Sequence, residues 1–382
     1  MLNTEQLKEN FKHRFVENPT AIYFSPGRVN LIGEHIDYNG GSVFPVAISL
    51  GITALVSTRT DNNIKIYAQE FEEEFTIQIQ KQYDINHHSN WMRYVLATLQ
   101  VLSNNGVSYQ GTNIYLASDL PLGAGLSSSA ALECLIAFIF NEQYYDSNRT
   151  QLALDAQLAE RKYVGVNCGI MDQFAVAHGK KNNAILLDCN SLEYKYCAAN
   201  FGEYKIVIIN SNKPRALAES KYNERRSECE KAFSTLQNFD IAESLCNVHQ
   251  ISLAYLEDDI LYQRAKHAIT ENERVMIATE LLQKNEINGF GNLLTLSHQS
   301  LAEDYEVSCH ELDIIVEYAT KHDACIGARM TGAGFGGCCI ALVEEKRKDD
   351  FITYIETQYK TNTEYDASFY ICDISDGIRR IE

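Results

Sequence analysis

The sequence predicts an α+β protein of two domains, residues 1–200 and 201–382. Three observations carry that expectation. Short β-rich runs open the chain, helical stretches dominate from about residue 217 to Thr320, and β-like runs return near the end. That mixed order departs from the strict strand–helix alternation of a doubly wound parallel sheet. Finally, 382 residues exceed the usual length of one domain and suffice for large buried cores.

Residues 1–16 are polar, mixed in charge and helical in pattern. Residues 21–24 form a strand that leads into the turn-forming Ser25-Pro26-Gly27. Residues 43–57 are apolar and β-branched, while 64–67 and 74–79 alternate as half-buried strands do. A helix over 91–102 and a strand over 111–117 precede a turn-rich loop, 119–129. Two helices follow, 130–144 and 150–164, each beginning beside Ser or Thr residues suited to N-capping. Strands over 184–188 and 205–210 precede a charged helix over 217–237, and strands over 336–343 and 367–372 close the chain.

Composition bounds the function. A formal net charge of −18 argues against a general nucleic-acid or anionic-membrane surface. It leaves room for a nucleotide, because a Gly-rich loop and a metal ion hold phosphates locally. The eleven cysteines are scattered except for Cys338 and Cys339, and show no CxxC or zinc-type spacing. Reduced thiols in a cytoplasmic protein are expected. The first residues lack the apolar core of a signal peptide, and no run of about 18 apolar residues marks a spanning helix. A monomer or weak dimer is the expected state.

Four segments carry candidate chemistry. The first is Ser25-Pro26-Gly27-Arg28-Val29-Asn30-Leu31-Ile32-Gly33-Glu34-His35-Ile36-Asp37-Tyr38-Asn39-Gly40-Gly41. It sets Arg28, Glu34, His35 and Asp37 among turn formers, a density of directed donors and acceptors that suits a polyhydroxylated ligand. A polar surface loop with caps and ion pairs reads equally well from composition alone. The second is PLGAGLSSSAA, residues 121–131, a Gly-rich loop running into serines at a helix start, where free N–H groups and the helix dipole favour an anion. An over-capped helix is its bland alternative. It is not a Walker A loop, and no protein-kinase motif set is present.

The third segment, Met330-Thr331-Gly332-Ala333-Gly334-Phe335-Gly336-Gly337-Cys338-Cys339, contains a formal GxGxxG. A dinucleotide site needs a helix after it, and β-like residues follow instead. A tight loop against another backbone or a phosphate fits better. The fourth, Asn167-Cys168-Gly169-Ile170-Met171-Asp172-Gln173-Phe174, offers one carboxylate that is either a turn or cap residue or a group that orients a hydroxyl proton in phosphoryl transfer. Glu160 lies twelve residues earlier on a helix leading into it, as an ordinary exposed helical Glu or a magnesium contact.

Taken in order, the Gly-containing motifs resemble those of the GHMP small-molecule kinase superfamily. GRVNLIGEHIDYNGG is the more specific and closely resembles the galactokinase-family signature. CGIMDQF and Lys221-Tyr222-Asn223-Glu224-Arg225-Arg226-Ser227-Glu228-Cys229 are similar to two further segments of that family, so the resemblance spans about Ser25 to Gly337. It implies an N-terminal domain of ribosomal-S5-domain-2-like α+β fold, carrying the sugar signature and the ATP phosphate loop. It implies a C-terminal ferredoxin-like α+β domain, with the active site in the cleft between the two. It further implies ATP as co-substrate, Mg2+, and transfer of the γ-phosphoryl group to the C1 hydroxyl of α-D-galactose, giving galactose 1-phosphate for galactose catabolism by the Leloir pathway.

Carried over by position, the resemblance makes Arg28 and Asp172 the catalytic pair. Glu34, His35, Asp37, Gly169 and Tyr222 would hold the sugar, with Asp37 reading the ring hydroxyls. Gly123, Gly125, Ser127 and Ser128 would cradle the nucleotide phosphates, and Trp91 and Tyr94 would line the base pocket, with aromatic core packing as their alternative. Ser128 and Glu160 are the expected magnesium contacts. Ile36 departs from the signature, where Thr is more usual, which alters packing rather than catalysis. The rivals are a kinase of N-acetylgalactosamine, arabinose or a uronic acid, and a catalytically silent galactose sensor. The intact Ser127-Ser128-Ser129 run, Arg28 and Asp172 weigh against the sensor.

Overall fold

The computed structural model describes residues 2–86, 88–121, 123–141, 148–214 and 218–382. Met1 of the first helix, Leu122 of the turn-rich loop, the end of the helix predicted to reach Tyr144, and Leu217 lie outside the described residues. The strands are β1 (Ala21–Asn30), β2 (Ser42–Val43), β3 (Pro45–Thr58), β4 (Asn63–Ala68), β5 (Glu73–Gln78), β6 (Thr112–Ser118) and β7 (Asn183–Asp188). They continue with β8 (Tyr194–Ala198), β9 (Tyr204–Asn210), β10 (Cys325–Thr331), β11 (Cys338–Glu344), β12 (Ser368–Cys372) and β13 (Arg379–Arg380). The helices are α1 (Thr4–Phe15), α2 (Asn90–Asn104), α3 (Ser128–Phe140), α4 (Arg149–Ala159) and α5 (Met171–His178). Then come α6 (Ala218–Leu236), α7 (Asp259–Gln283), α8 (Ile287–Glu303), α9 (His310–Lys321) and α10 (Lys348–Asn362).

A six-stranded sheet in the order β13-β1-β3-β6-β4-β5 forms the first half. All its neighbours are antiparallel except β4 and β6. Alternation along the strands decides what each face covers. Ile22, Leu55, Tyr67 and Tyr115 point to one side, where Leu7 and Phe11 of α1 cover them as a small separate core. Their neighbours Tyr23, Ala54, Val56, Ile66, Ile114 and Leu116 point to the other side, into the main core. Phe11 is fully buried in the small core, worth about 1.5–3 kcal/mol. Helices α2 to α5 pack on the main-core side, with α3 and α5 against β1 and β3.

A second sheet, β10-β11-β9-β12, is antiparallel throughout and carries α8, α9 and α10. A small sheet, β2-β7-β8, lies under α7. The chain end returns to the first sheet. There Arg379 and Arg380 pair with Phe24 and Tyr23 of β1, and Ile378 N donates to Val176 O at 2.9 Å. That return covers the otherwise open edge of β1.

Several expectations change. Ser25-Pro26-Gly27 does not end β1; the strand runs on to Asn30 with a bulge between Pro26 and Arg28. The helices at 130 and 150 are not capped by Ser or Thr side chains. Ser127 precedes α3 in the left-handed region (φ 62°) without a capping bond, and Asn148 precedes α4 without one. Asp172, for which a turn or cap position is one reading of the sequence, lies in the first turn of helix α5, which takes up the segment from Met171 onward. β10 escaped prediction because Gly327 and a fully buried Arg329 break its apolar pattern. All eleven cysteines are free. Among the described residues, no helix is long and apolar enough to cross a membrane.

Candidate active site

Two chambers open side by side between the two halves of the molecule. The first, about 560 Å³, is lined by Arg28, Glu34, His35, Asp37, Gly169, Asp172 and Tyr222 among others. The second, about 790 Å³, is lined by Trp91, Tyr94, Gly123, Gly125, Ser127 and Ser128 among others. Both share Arg28, Glu160, Val166, Asp172 and Ala333 as lining residues. Every site residue anticipated from the sequence lies on one chamber or on their boundary.

The boundary is built from three segments far apart in sequence. The β1 bulge presents Arg28, whose Nε donates to Asp172 Oδ1 at 2.7 Å and whose Nη2 donates to Oδ2 at 2.8 Å. Its Nη1 donates to Gly125 O at 2.8 Å. Asp172 sits in the first turn of α5, where the helix dipole favours a carboxylate. Ser127 Oγ donates to the same Asp172 Oδ2 at 2.5 Å, which explains why Ser127 does not cap α3. Burial alone would lower the Arg28 pKa. The carboxylates of Asp172 and Glu34 outweigh it, so the guanidinium is held charged.

The first chamber is rich in directed polar groups. Glu34 Oε1 accepts from Thr331 Oγ1 at 2.8 Å and Gly332 N at 2.7 Å, and lies 3.4 Å from Arg329 Nη2. Its other oxygen takes none of these bonds. His35, itself left-handed at φ 62°, places Nε2 3.2 Å from Ala333 O and Nδ1 2.7 Å from Tyr38 Oη. A carbonyl only accepts, so Nε2 carries the proton and Nδ1 accepts from the tyrosine. Burial, with His267 nearby, pushes the imidazole down to about 3 and keeps it neutral.

Asp37 starts a short 3₁₀ turn (Asp37–Asn39) and packs on Gly169 so closely that a Cβ at 169 would lie 1.7 Å from Asp37 Oδ2. Only glycine fits there. Burial, followed by the charges of Asp172 and Glu34, raises the Asp37 carboxyl to about 7. Tyr222 of α6 completes the wall, its ring 5.2 Å from Tyr38 and 5.6 Å from His35.

The second chamber has a polar end and an aromatic end. Ser127 precedes α3 and Ser128 and Ser129 open it, and the first N–H groups of the helix have no partner within it. The third glycine motif backs this loop: Gly332 (φ 83°) lies so near that a Cβ on it would be 3.1 Å from Gly125 O. The strand β11 follows the motif, so the dinucleotide-type helix is absent as expected. At the other end Trp91 donates to Glu73 Oε2 at 2.7 Å and lies parallel to the exposed Phe71, centroids 6.1 Å apart.

Glu160 is not an exposed helical residue. It begins a π-helical turn (Glu160–Val164) after α4 and is buried. Burial and then Asp172 raise its carboxyl to about 7, and Gln173 Nε2 donates to it at 2.6 Å. Glu133 of α3, fully buried behind it, has one oxygen without a partner and is pushed far above the carboxylate range by burial and Glu160. Among the described residues no group of three or more His, Cys, Asp or Glu is arranged to hold a metal ion. Sequence reasoning missed Glu133, Gln173 and the second-chamber residues Asn210, Asn212 and Lys213. The last three lie at and just beyond the end of β9 with no motif to mark them.

Comparison with known proteins places this geometry. Three family models match: the galactokinase galactose-binding signature over residues 9–58, the GHMP kinases N terminal domain over 93–180, and GHMP kinases C terminal over 278–361. Galactokinase from Clostridium beijerinckii is 43% identical over 394 residues, covering 100% of both chains. The Clostridium perfringens galactokinase is 45% identical over 384 residues, covering 98% of each. The structure of Lactococcus lactis galactokinase complexed with galactose matches with a TM-score of 0.92 at 38% identity, over 98% of this chain and 99% of that one. A Methanococcus jannaschii mevalonate kinase, at 20% identity and a TM-score of 0.65 over 93% of this chain and 98% of that one, shares the fold.

The fold and its paired chambers define a two-domain GHMP-type small-molecule kinase. Within that class, the chain belongs to the galactokinase family.

Proposed function

We propose that this protein transfers the γ-phosphoryl group of ATP to the C1 hydroxyl of α-D-galactose, yielding α-D-galactose 1-phosphate and ADP. One observation carries the reading: a chamber walled by Glu34, His35, Asp37 and Tyr222 meets a chamber headed by Ser127 and Ser128 at the Arg28–Asp172 pair. A sugar in the first and a nucleotide in the second bring hydroxyl and γ-phosphorus together there, and such positioning supplies much of the catalysis. The L. lactis galactokinase structure is a complex with galactose, and the full-length likeness of that protein to this chain supports the sugar assignment.

In this reading Asp172 orients the C1 hydroxyl and takes its proton as the bond to phosphorus forms, a role worth about 10²–10⁴ in rate. Arg28 holds Asp172 in place by its two bonds and neutralises charge on the transferring group. Ser127 Oγ fixes the second oxygen of Asp172. Glu34, His35, Asp37, Gly169 and Tyr222 seat the sugar. The neutral His35 acts as hydrogen-bonding scaffold and not as a charge. Gly123, Gly125, Ser127 and Ser128 receive the phosphates, and Trp91 and Tyr94 border the base.

The residues also suit Mg2+. A nucleotide-borne magnesium ion needs only one or two protein carboxylates, because phosphates and water fill its remaining positions. Glu160, on the chamber boundary, would supply the carboxylate, and Ser128 the hydroxyl. When bound, the ion would neutralise charge on the phosphate oxygens.

The division near residue 200 falls between β8 and β9, where the chain leaves one sheet for the next. The free cysteines support a reducing, cytoplasmic setting, and the protein is taken to act as a monomer or weak dimer. A galactose-dependent ADP assay with Asp172→Ala alongside the parent chain tests the activity and the role of Asp172 together. Equal turnover by both removes Asp172 from the mechanism.

A further inference from the structure

After Asn30 the chain leaves β1 and carries Glu34 and His35 into the first chamber. The backbone of this loop is held by side chains from the other half of the molecule. Gly33 N donates to Glu271 Oε1 at 2.9 Å and Glu34 N to the same atom at 3.3 Å, across 238 and 237 positions of sequence. His267 Nε2 donates to Glu34 O at 3.1 Å. Arg329 Nη1 donates to Leu31 O at 2.9 Å. The peptide groups that set the direction of Glu34 and His35 are therefore fixed from outside the signature itself.

The arrangement follows from helix geometry. His267, Glu271 and Val275 are four residues apart on α7 and so share one face. Gly33, at φ 102°, lets that face approach: a Cβ there would lie 2.9 Å from Val275 Cγ2. Glu271 is itself pinned, since Ser297 Oγ donates to Oε1 and Arg274 Nε donates to Oε2, each at 2.7 Å. It is fully buried and does not line either chamber. The loop it steadies includes His35 in a left-handed conformation, which persists only where surrounding bonds over-determine it.

We propose that Glu271 is a positioning residue for galactose: by accepting the Gly33 and Glu34 amides it holds Glu34 and His35 in the sugar-reading pose without touching the sugar. The proposal rests on the galactose reading of the first chamber. Replacing the carboxylate leaves two buried amides and Arg274 competing for a weaker acceptor, and the loop loses its fixed direction.

The test is a calorimetric galactose titration with steady-state kinetics on the full chain. Glu271→Gln, with wild-type circular dichroism, is expected to raise the galactose Kd and KM about tenfold while the ATP KM stays within a factor of about two. A folded Glu271→Gln protein with an unchanged galactose Kd overturns the proposal, however far its Tm has fallen, and so does an equal loss of ATP affinity. Ser297→Ala removes one bond to Glu271 and no charge, and should raise the galactose Kd about threefold. If Glu271→Gln does not fold, an unchanged Kd in folded Ser297→Ala overturns the proposal. A parent chain that binds no galactose fails separately and visibly: it removes the substrate reading on which the proposal depends.

Discussion

Arg28 and Asp172 hold one another by two parallel hydrogen bonds, 2.7 and 2.8 Å long, at the place where the two chambers meet. They are 144 positions apart in the chain. An Arg–carboxylate fork, here with Arg28 buried and Asp172 half-buried, is strong and geometrically exacting. Here it also aims the carboxylate, since both oxygens are engaged by Arg28 and one of them by Ser127 as well.

Asp172→Asn keeps the shape of the side chain and removes its capacity to take a proton. We expect kcat to fall by about 10²–10⁴ while galactose still binds. Calorimetric binding beside single-turnover rates measures both halves. A kcat within about tenfold of the parent would leave Asp172 a structural partner of Arg28 only.

How much of the site is legible in the sequence follows from what each residue signals. Arg28, Glu34, His35 and Asp37 stand within ten positions of one another among turn formers, so local sequence gathers them. The serine run before an apolar helix is similarly local. The carboxylates that tune the site are not. Glu133 lies inside a strongly apolar helix, and Glu271 lies in a polar helix of 25 residues, where nothing nearby distinguishes it from solvent-facing neighbours. Both acquire meaning only when the chain folds Gln173 or Gly33 against them. Ser127 shows the converse. Its position suggests a cap, and the folded chain commits its hydroxyl to Asp172 instead. For α10, buried Phe351, Ile355 and Tyr359 form a stripe at spacing four, a helical signal that sequence reasoning missed although it is present.

The raised Asp37 carboxyl predicts a pH signature in stability. Its ordinary value is 3.8 and the fold raises it to about 7. Between those values the folded protein keeps a proton that the unfolded chain has lost, so this group destabilises the fold progressively as pH rises through the window. Asp37→Asn removes the effect. The Tm of the apo variant should exceed that of the parent by a margin that widens from about pH 4 to about pH 7 and then levels off. Differential scanning calorimetry across pH decides, and a margin independent of pH contradicts the assignment. The same variant should bind galactose less tightly.

Trp91 is the single tryptophan of the chain and lines the second chamber alone of the two. ATP should therefore change its emission, while galactose added without nucleotide should leave it nearly constant. A galactose response without an ATP response would reverse the assignment of the chambers. Fluorescence titration of the unmodified protein gives the answer without any substitution.

In the proposed reaction the two chambers hold galactose and ATP for phosphoryl transfer at Arg28 and Asp172. ADP release measured with ATP and magnesium across galactose, glucose, N-acetylgalactosamine, arabinose and galacturonic acid tests it most directly. Turnover with galactose is expected well above that with every other sugar. Turnover confined to N-acetylgalactosamine, or no galactose-dependent ADP release at all, would contradict it.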